Sequence, residues 1–529
     1  SASSAIQMDT GSNFSTGLDR VEQPQRTVVE DLGSNSFRLV VYEWEPACWW
    51  RRSDEIVETV RIGSGLDSSG KLGKRGITRG LQAVELFGHA RRAFGVTPEE
   101  TISVATSAIR DASNGSEFVE RAEKLGGVPV RVLSQSEEAR YGMLAAVNST
   151  TLTDGWTLDL GGGSLQLCRV AGRESQECGS WPLGAVRMTE HFLADDGDQP
   201  ASAKDIKALR AHALKSLRDS GIEPAGERIV GIGGAVRNLA AACRIAAGMP
   251  ALGVQGVEIT GDELDLLIAR LAELPPSKRG SLPGIKSARG EIILAAAIVI
   301  RAAMTATGTQ ALEASEAGLR EGLFFERFLA PADPPLFQDV RGASVRNLAL
   351  QHRVDVTHAD RVADLALRMY DSLRESGIKT GNGRQRELLW AAAMLHDVGK
   401  TIDYDDHQRH SMYMILGAGL PGYTPRELAM IALLARYHRK GEPQFGEYEA
   451  LFGPSDLERL KRSAVLLRLA EFLERGRDGN VLSAELVVNG RGIRLDLKAT
   501  GDPALARWGA ERQSELFKSA FGRELILSD

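Results

Sequence analysis

Residues Val28 to Val41 read "VVEDLGSNSFRLVV", and Thr157 to Leu167 read "TLDLGGGSLQL". In both, an apolar strand runs into Asp-Leu-Gly, turns, and resumes as an alternating strand; Phe37, Leu39 and Val41 alternate with Arg38, Val40 and Tyr42. A strand that ends in this way exposes backbone N–H groups where glycine lets an anion approach closely, and Ser34, Ser36 and Ser164 add hydroxyl donors. Asp31 and Asp159 then stand beside the same anion, where carboxylate oxygens suit a hard cation such as Mg²⁺. Two such devices in one chain imply two half-sites facing one ligand. A third Gly turn, "IVGIGGAVRNLA" from Ile229 to Ala240, follows the second.

The intervening pattern supports a doubled α/β unit. Ile77, Leu81 and Val84 fall on one helix face, Ile102 to Ala105 reads as a buried strand, and "GGVPVRVL" leads into another before the arrangement restarts at Trp156. The segment "LAPADPPLFQDV", with Pro331, Pro334 and Pro335, reads as a linker. Beyond it Val362, Leu365, Ala366 and Met369 make one apolar helix stripe, Leu388 to Leu395 a buried helix, and Asn489-Gly490 a hairpin turn between two alternating runs. The expected division is a flexible segment over 1–25, two α/β domains over 26–147 and 148–330, a helical domain over 331–480 and a small α+β element over 481–529.

The chain of 529 residues is too long for one core, and 43% apolar with 25% charged residues is ordinary for a globular protein. The run Ile292 to Ile300 is too short to span a membrane. The Ser-rich start lacks the order of a secretory signal, so a cytoplasmic location is expected. Cys48, Cys168, Cys178 and Cys243 have no metal-ligand spacing and are expected to be reduced. A net charge of −6 gives no global attraction for nucleic acid or another polyanion, so a phosphate-rich substrate needs local basic groups. Arg51/Arg52, Lys71/Lys74/Arg75/Arg79, Arg436/Arg439/Lys440 and Arg459/Lys461/Arg462 are candidates, each read first as a solvated face.

The motifs "DLGSNSFRLVV", "VATSAIRDASNGSEFV", "VLSQSEEARYGMLAAV", "LDLGGGSLQL", "WPLGAVRMTEHF", "GIGGAVRNLA" and "GLREGLFFERF" come in an order that resembles the exopolyphosphatase and guanosine pentaphosphate phosphohydrolase family, within the acetate/sugar kinase, heat-shock chaperone and actin superfamily. The resemblance implies duplicated ribonuclease H-like (actin-like) domains. It implies phosphate binding by Asn35, Ser36, Arg110, Gly162, Gly163 and Ser164, and water activation by Glu138, the second Glu of "SEEAR". The expected reaction is release of terminal orthophosphate from inorganic polyphosphate with Mg²⁺ (or Mn²⁺) at Asp159 and Asp31, by a homodimer. Hydrolysis of guanosine pentaphosphate (pppGpp) is the sister activity, and a sensor that binds pppGpp or ppGpp without turnover is a third reading, opposed by Glu138. Glu137 reads as a metal-side or exposed carboxylate, and Arg140 as a phosphate contact or an i,i+3 partner of Glu137.

Two residues depart from the family pattern. Glu30 replaces an apolar strand residue and must face solvent, pair with a buried cation or join the metal site; Ala235 replaces a Thr in the third loop, thinning a nucleoside contact.

The helical section resembles a metal-dependent His-Asp phosphohydrolase domain through His358, adjacent His396 and Asp397 in "AAAMLHDVGK", His410 in "QRHSMY" and His438 in "ARYHRK". Such a set suits a transition metal more than Mg²⁺. Glu471 stands where these domains have a last Asp, so the residues are read first as satisfied groups of an inherited scaffold, second as a metal set, and third as a channel wall beside Arg436, Arg439 and Lys440.

Overall fold

The computed structural model describes residues 24–193, 197–224 and 228–527, so the segment expected to be flexible over 1–25 lies almost wholly outside the described residues. Strands β1 (Gln25–Leu32), β2 (Phe37–Glu45), β3 (Trp49–Glu58), β4 (Thr101–Ala105) and β5 (Arg131–Val132) form a sheet of order β3-β2-β1-β4-β5. Strands β6 (Gly155–Leu160), β7 (Leu165–Ala171), β8 (Glu174–Trp181), β9 (Arg228–Ile232), β10 (Val257–Thr260) and β11 (Ala311–Ala314) repeat it as β8-β7-β6-β9-β11, with β10 added antiparallel at the edge. In each half two antiparallel pairs precede two parallel ones. This is the duplicated ribonuclease H-like arrangement, and the register places Asp31 opposite Arg38 and Asp159 opposite Gln166 at equivalent points.

Both faces of the first sheet are covered, so the period-two pattern of β2 sends alternate side chains into different cores. Phe37, Leu39 and Val41 pack with Phe87 and Phe118, beneath the helix Lys74–Ala93. Val40 and Tyr42 enter a core shared with the helices Gln135–Val147 and Leu319–Phe328. The latter helix closes the second half yet packs on the first: the Tyr42 ring stacks on Phe324 with centroids 4.2 Å apart, and its hydroxyl donates to Glu321 at 2.9 Å. The apolar run at Ile292 becomes the buried helix Ile293–Thr307, and no helix among the described residues is long and apolar enough to cross a membrane.

Glu30 takes the second of its three options. Because Asp31 faces the cleft, its neighbour points to the opposite face, where Glu30 is 1% exposed and lies 2.8 Å from Arg91 Nε. Burial raises the Glu30 carboxyl above its ordinary range, and Arg91 opposes that rise. Removing one partner leaves a buried charge uncompensated, which costs about 3–5 kcal/mol. Arg91→Met is therefore expected to lower unfolding stability by that amount in urea titration, and Glu30→Leu combined with Arg91→Met to recover most of it.

Two further expectations are corrected. Cys168 and Cys178 face each other across β7 and β8 and form a disulfide, because the hairpin register sets them opposite; Cys48 and Cys243 are free thiols. Arg140 pairs not with Glu137 but with Glu326, at 2.8 Å, since the helix Leu319–Phe328 lies alongside.

After the proline segment come the helices Val340–Gln351, Val356–Glu375, Gly383–Leu395, His407–Ala418, Pro425–Arg436 and Asp456–Leu473 around a single apolar core. The chain ends in β12 (Val481–Asn489), β13 (Gly492–Ala499) and β14 (Leu525–Leu527). Gly490 makes the β12–β13 turn at φ +58°, a left-handed conformation that glycine adopts without strain.

Candidate functional site

The cleft between the two sheets begins where β1 and β6 end. Asp31 and Asp159 are each the penultimate residue of their strand, and the loops that follow touch each other. A Cβ on Gly162 would lie 2.9 Å from Ser34 Cβ and 3.4 Å from the Asn35 nitrogen, so the second loop has glycine where the first approaches. The hydroxyls of Ser34 and Ser107 are 3.1 Å apart beneath this junction.

Glu138 reaches the same place through the helix Gln135–Val147. Ser134 and Glu137 form its capping box, which commits Glu137 to the helix end and leaves Glu138 turned inward, 6% exposed. Gly142, one turn later on the same face, lets the helix approach Asp159; a Cβ there would be 3.3 Å from Asp159 Oδ2. Glu138 accepts from Arg110 at 2.8 Å, and Arg110 also donates to the Leu133 carbonyl at 3.0 Å. Asp31 accepts from Arg320 at 3.1 Å.

Three carboxylates in one buried place repel. Burial, followed by the charges of Glu138 and Asp31, pushes Asp159 up to about 7. Burial likewise raises Glu138 above its ordinary range, against the opposing pull of Arg110, and raises Asp31 against Arg320 and Arg38. The cleft wall opposes this with Arg38, Arg237, Arg289 and Arg320. Burial and then the neighbouring charges of Arg38, Arg237 and Arg320 push Arg289 down to about 9. Its guanidinium lies against Gly234, where a side chain would collide with it. An acidic floor under a ring of crowded guanidinium groups is suited to an anion bound together with a cation.

Of the residues singled out from the sequence, Asp31, Asn35, Ser36, Glu138, Asp159 and Gly162 line this cleft. Arg110 stands behind Glu138. Gly163 packs against Ser34 and Ser107, and Ser164 is 4% exposed, its hydroxyl accepting from Gln166 at 2.8 Å; both sit in the loop junction behind the wall. The four arginines were missed. Arg38 carries a signal, since alternation aligns it across from Asp31; Arg237 and Arg320 sit within quoted motifs without any mark of their own; Arg289 has none.

In the helical domain a second cluster is wholly buried: His358, His396, Asp397, His407, His438 and Glu471. Glu471 Oε2 lies 3.0 Å from His358 Nε2 and 3.1 Å from His396 Nε2. Asp397 Oδ1 lies 3.2, 3.6 and 3.8 Å from the Nε2 atoms of His407, His396 and His438. Burial lowers the His396 pKa but Asp397 and Glu471 outweigh it, to about 9; burial and the charge of His396 push His438 down to about 3. His410 is corrected: it is half-buried outside the cluster, and His407, three residues earlier at the start of the helix His407–Ala418, occupies the place expected for it. Glu471, the substitution that argued against a metal set, is a full member of the cluster. Lys440 pairs with Asp406 at 3.1 Å.

A profile of the Ppx/GppA phosphatase family matches residues 54–330, and that of Ppx/GppA phosphatase domain III matches residues 340–507. Among solved structures, the Ppx/GppA family member of Aquifex aeolicus is 26% identical, with 56% of this chain and 96% of that one covered at a TM-score of 0.48. An exopolyphosphatase from Cytophaga hutchinsonii is 19% identical over 57% of this chain and 98% of its own, with a TM-score of 0.50, a likeness of fold.

Proposed function

Since the chain belongs to the Ppx/GppA phosphatase family, we propose that it is an exopolyphosphatase that releases terminal orthophosphate from inorganic polyphosphate by direct attack of water. The observation that carries this reading is the convergence of Glu138, Asp31 and Asp159 from three separate segments beneath four arginines in one cleft. A phosphoanhydride chain is a dense polyanion, and its hydrolysis needs charge neutralisation at the transferred group and an aligned nucleophile.

Asp159 and Asp31 fit Mg²⁺: both offer hard oxygen donors, and the upward push on Asp159 comes from burial and unbalanced neighbouring carboxylates, which a cation relieves. Bound there, Mg²⁺ supplies neutralisation of charge on the transferred phosphoryl group. Glu138, held by Arg110, accepts the proton from water at a carboxylate oxygen as the water oxygen bonds to phosphorus and the bridging P–O bond breaks. The backbone of Asn35, Ser36 and Gly162 grips the terminal phosphate, and Arg237 and Arg289 hold the phosphates behind it.

A second reading has its own observation. Ala235 turns its methyl into the core, 2% exposed, while Gly233 and Gly234 of the same loop line the cleft, so the departure at Ala235 leaves that loop open to a nucleoside. Phosphate release from long polyphosphate, short polyphosphate and guanosine pentaphosphate separates the two: a higher kcat/KM on long polyphosphate is expected, and preference for the nucleotide reverses the assignment. A charge-assisted hydrogen bond contributes about 1.5–3 kcal/mol. Arg237→Ala is accordingly expected to raise KM for polyphosphate about tenfold or more, and an unchanged KM removes Arg237 from the binding wall.

A further inference from the structure

The six buried groups of the helical domain raise a problem of proton counting. His438 Nδ1 is 2.7 Å from the Ala435 carbonyl, His407 Nδ1 is 2.8 Å from the Tyr404 carbonyl, and His396 Nδ1 is 2.6 Å from the Ala393 carbonyl. A carbonyl oxygen only accepts, so each Nδ1 carries the proton, and in a neutral ring each Nε2 is then a bare lone pair. The 3.4 Å approach of Arg439 to His407 Nδ1 is longer than the carbonyl bond and leaves that assignment in place.

Yet the lone pairs face one another. His407 Nε2 and His438 Nε2 are 3.2 Å apart, and both look at Asp397 Oδ1, a buried oxygen with no hydrogen-bond partner among the described residues. Asp397 Oδ2 is engaged by Arg477 at 3.0 Å and by Lys400, which leaves Oδ1 as the oxygen turned toward His407 and His438. On the other side one oxygen, Glu471 Oε2, faces two ring nitrogens, His396 Nε2 at 3.1 Å and His358 Nε2 at 3.0 Å. Acceptors crowded together without donors are costly in a dry interior unless a cation lies between them. The spacing fits one. Ligands about 2.1 Å from a tetrahedral ion are about 3.4 Å from each other, and the contacts around Asp397 Oδ1 and Glu471 Oε2 run from 3.0 to 3.8 Å. The Nδ1–carbonyl bonds are the outer support that orients metal-binding imidazoles.

We propose that this cluster is a transition-metal centre, distinct from the phosphate cleft, in which His407, His438 and Asp397 hold one divalent ion and His358, His396 and Glu471 offer a second position. Imidazole with carboxylate selects an ion of the Zn, Mn, Fe or Co class over Mg²⁺. The full chain, stripped with chelator, reloaded with Zn²⁺ or Co²⁺ in excess Mg²⁺ and desalted, is expected to retain one to two equivalents by elemental analysis and, with Co²⁺, to show visible d–d absorption. His407→Gln and His438→Asn are expected to cut retained metal at least tenfold, whereas Asp159→Asn in the phosphate cleft leaves it unchanged. Wild type that emerges without metal and without the Co²⁺ spectrum overturns the proposal, as does metal that stays in both histidine variants and leaves with Asp159→Asn. The wild-type spectrum decides the matter even where a buried variant fails to fold.

Discussion

Glu138→Gln is expected to lower kcat for phosphate release about 10²- to 10⁴-fold, the range for loss of a positioned general base, with KM for polyphosphate nearly unchanged. Glutamine keeps an oxygen for Arg110, 2.8 Å away in the native cleft, so the wall and the helix Gln135–Val147 stay in place. What it loses is the ability to accept a proton from water. Burial raises the Glu138 carboxyl, bringing its basicity nearer to working pH, while the Arg110 ion pair keeps the ionised form accessible. Steady-state phosphate release on one polyphosphate preparation measures the effect. A variant with native kcat removes Glu138 from the mechanism; one with raised KM and native kcat makes it a binding group instead.

Asp159→Asn is expected to abolish most of the metal-dependent activity, by 10²-fold or more given that a bound divalent ion supplies several kcal/mol of transition-state stabilisation. It also has a stability signature. In the folded protein Asp159 titrates at about 7, above its ordinary 3.8, so the folded state holds a proton that the unfolded chain has released. The contribution of this group to stability is complete below about pH 4 and is lost as pH rises through about 7, a span on the order of 4 kcal/mol. On the proposed assignment, Mg²⁺ held by the carboxylate form is expected to reverse the loss. The metal-free thermal midpoint of wild type is therefore expected to fall between pH 5 and pH 8 and to recover with Mg²⁺. The asparagine variant lacks that contribution to both the fall and the recovery. Identical pH and Mg²⁺ responses in the two proteins contradict the assignment of Mg²⁺ to Asp159.

The parts legible in the sequence are those encoded by local pattern. The strand, Asp-Leu-Gly turn and alternating strand at 28–41 and 157–167 announced the doubled unit, because apolar periodicity and glycine turns are short-range signals. Asn489-Gly490 announced its hairpin for the same reason. Other features depended on distant partners. Glu30 was ambiguous because its partner, Arg91, is on a helix that only the fold lays beneath β1. Cys168 and Cys178 read as separate thiols until the β7–β8 register set them opposite. His410 and His407 are three residues apart on one helix, close to the same face, and only packing against the helix Pro425–Arg436 shows that His407 meets His438.

The sequence by itself determined the two Asp-Leu-Gly strand ends and the family, since each is written in contiguous residues, while the glutamate on the "SEEAR" helix was legible only through the family resemblance. The tertiary structure alone decided which charges meet: Arg320 on Asp31 across 289 positions, Arg289 over Gly234, and four imidazoles around Asp397 and Glu471. Electrostatic partnership depends on distance in space. Chain order says little about it once strands and helices from both halves, and from the helical domain, are packed.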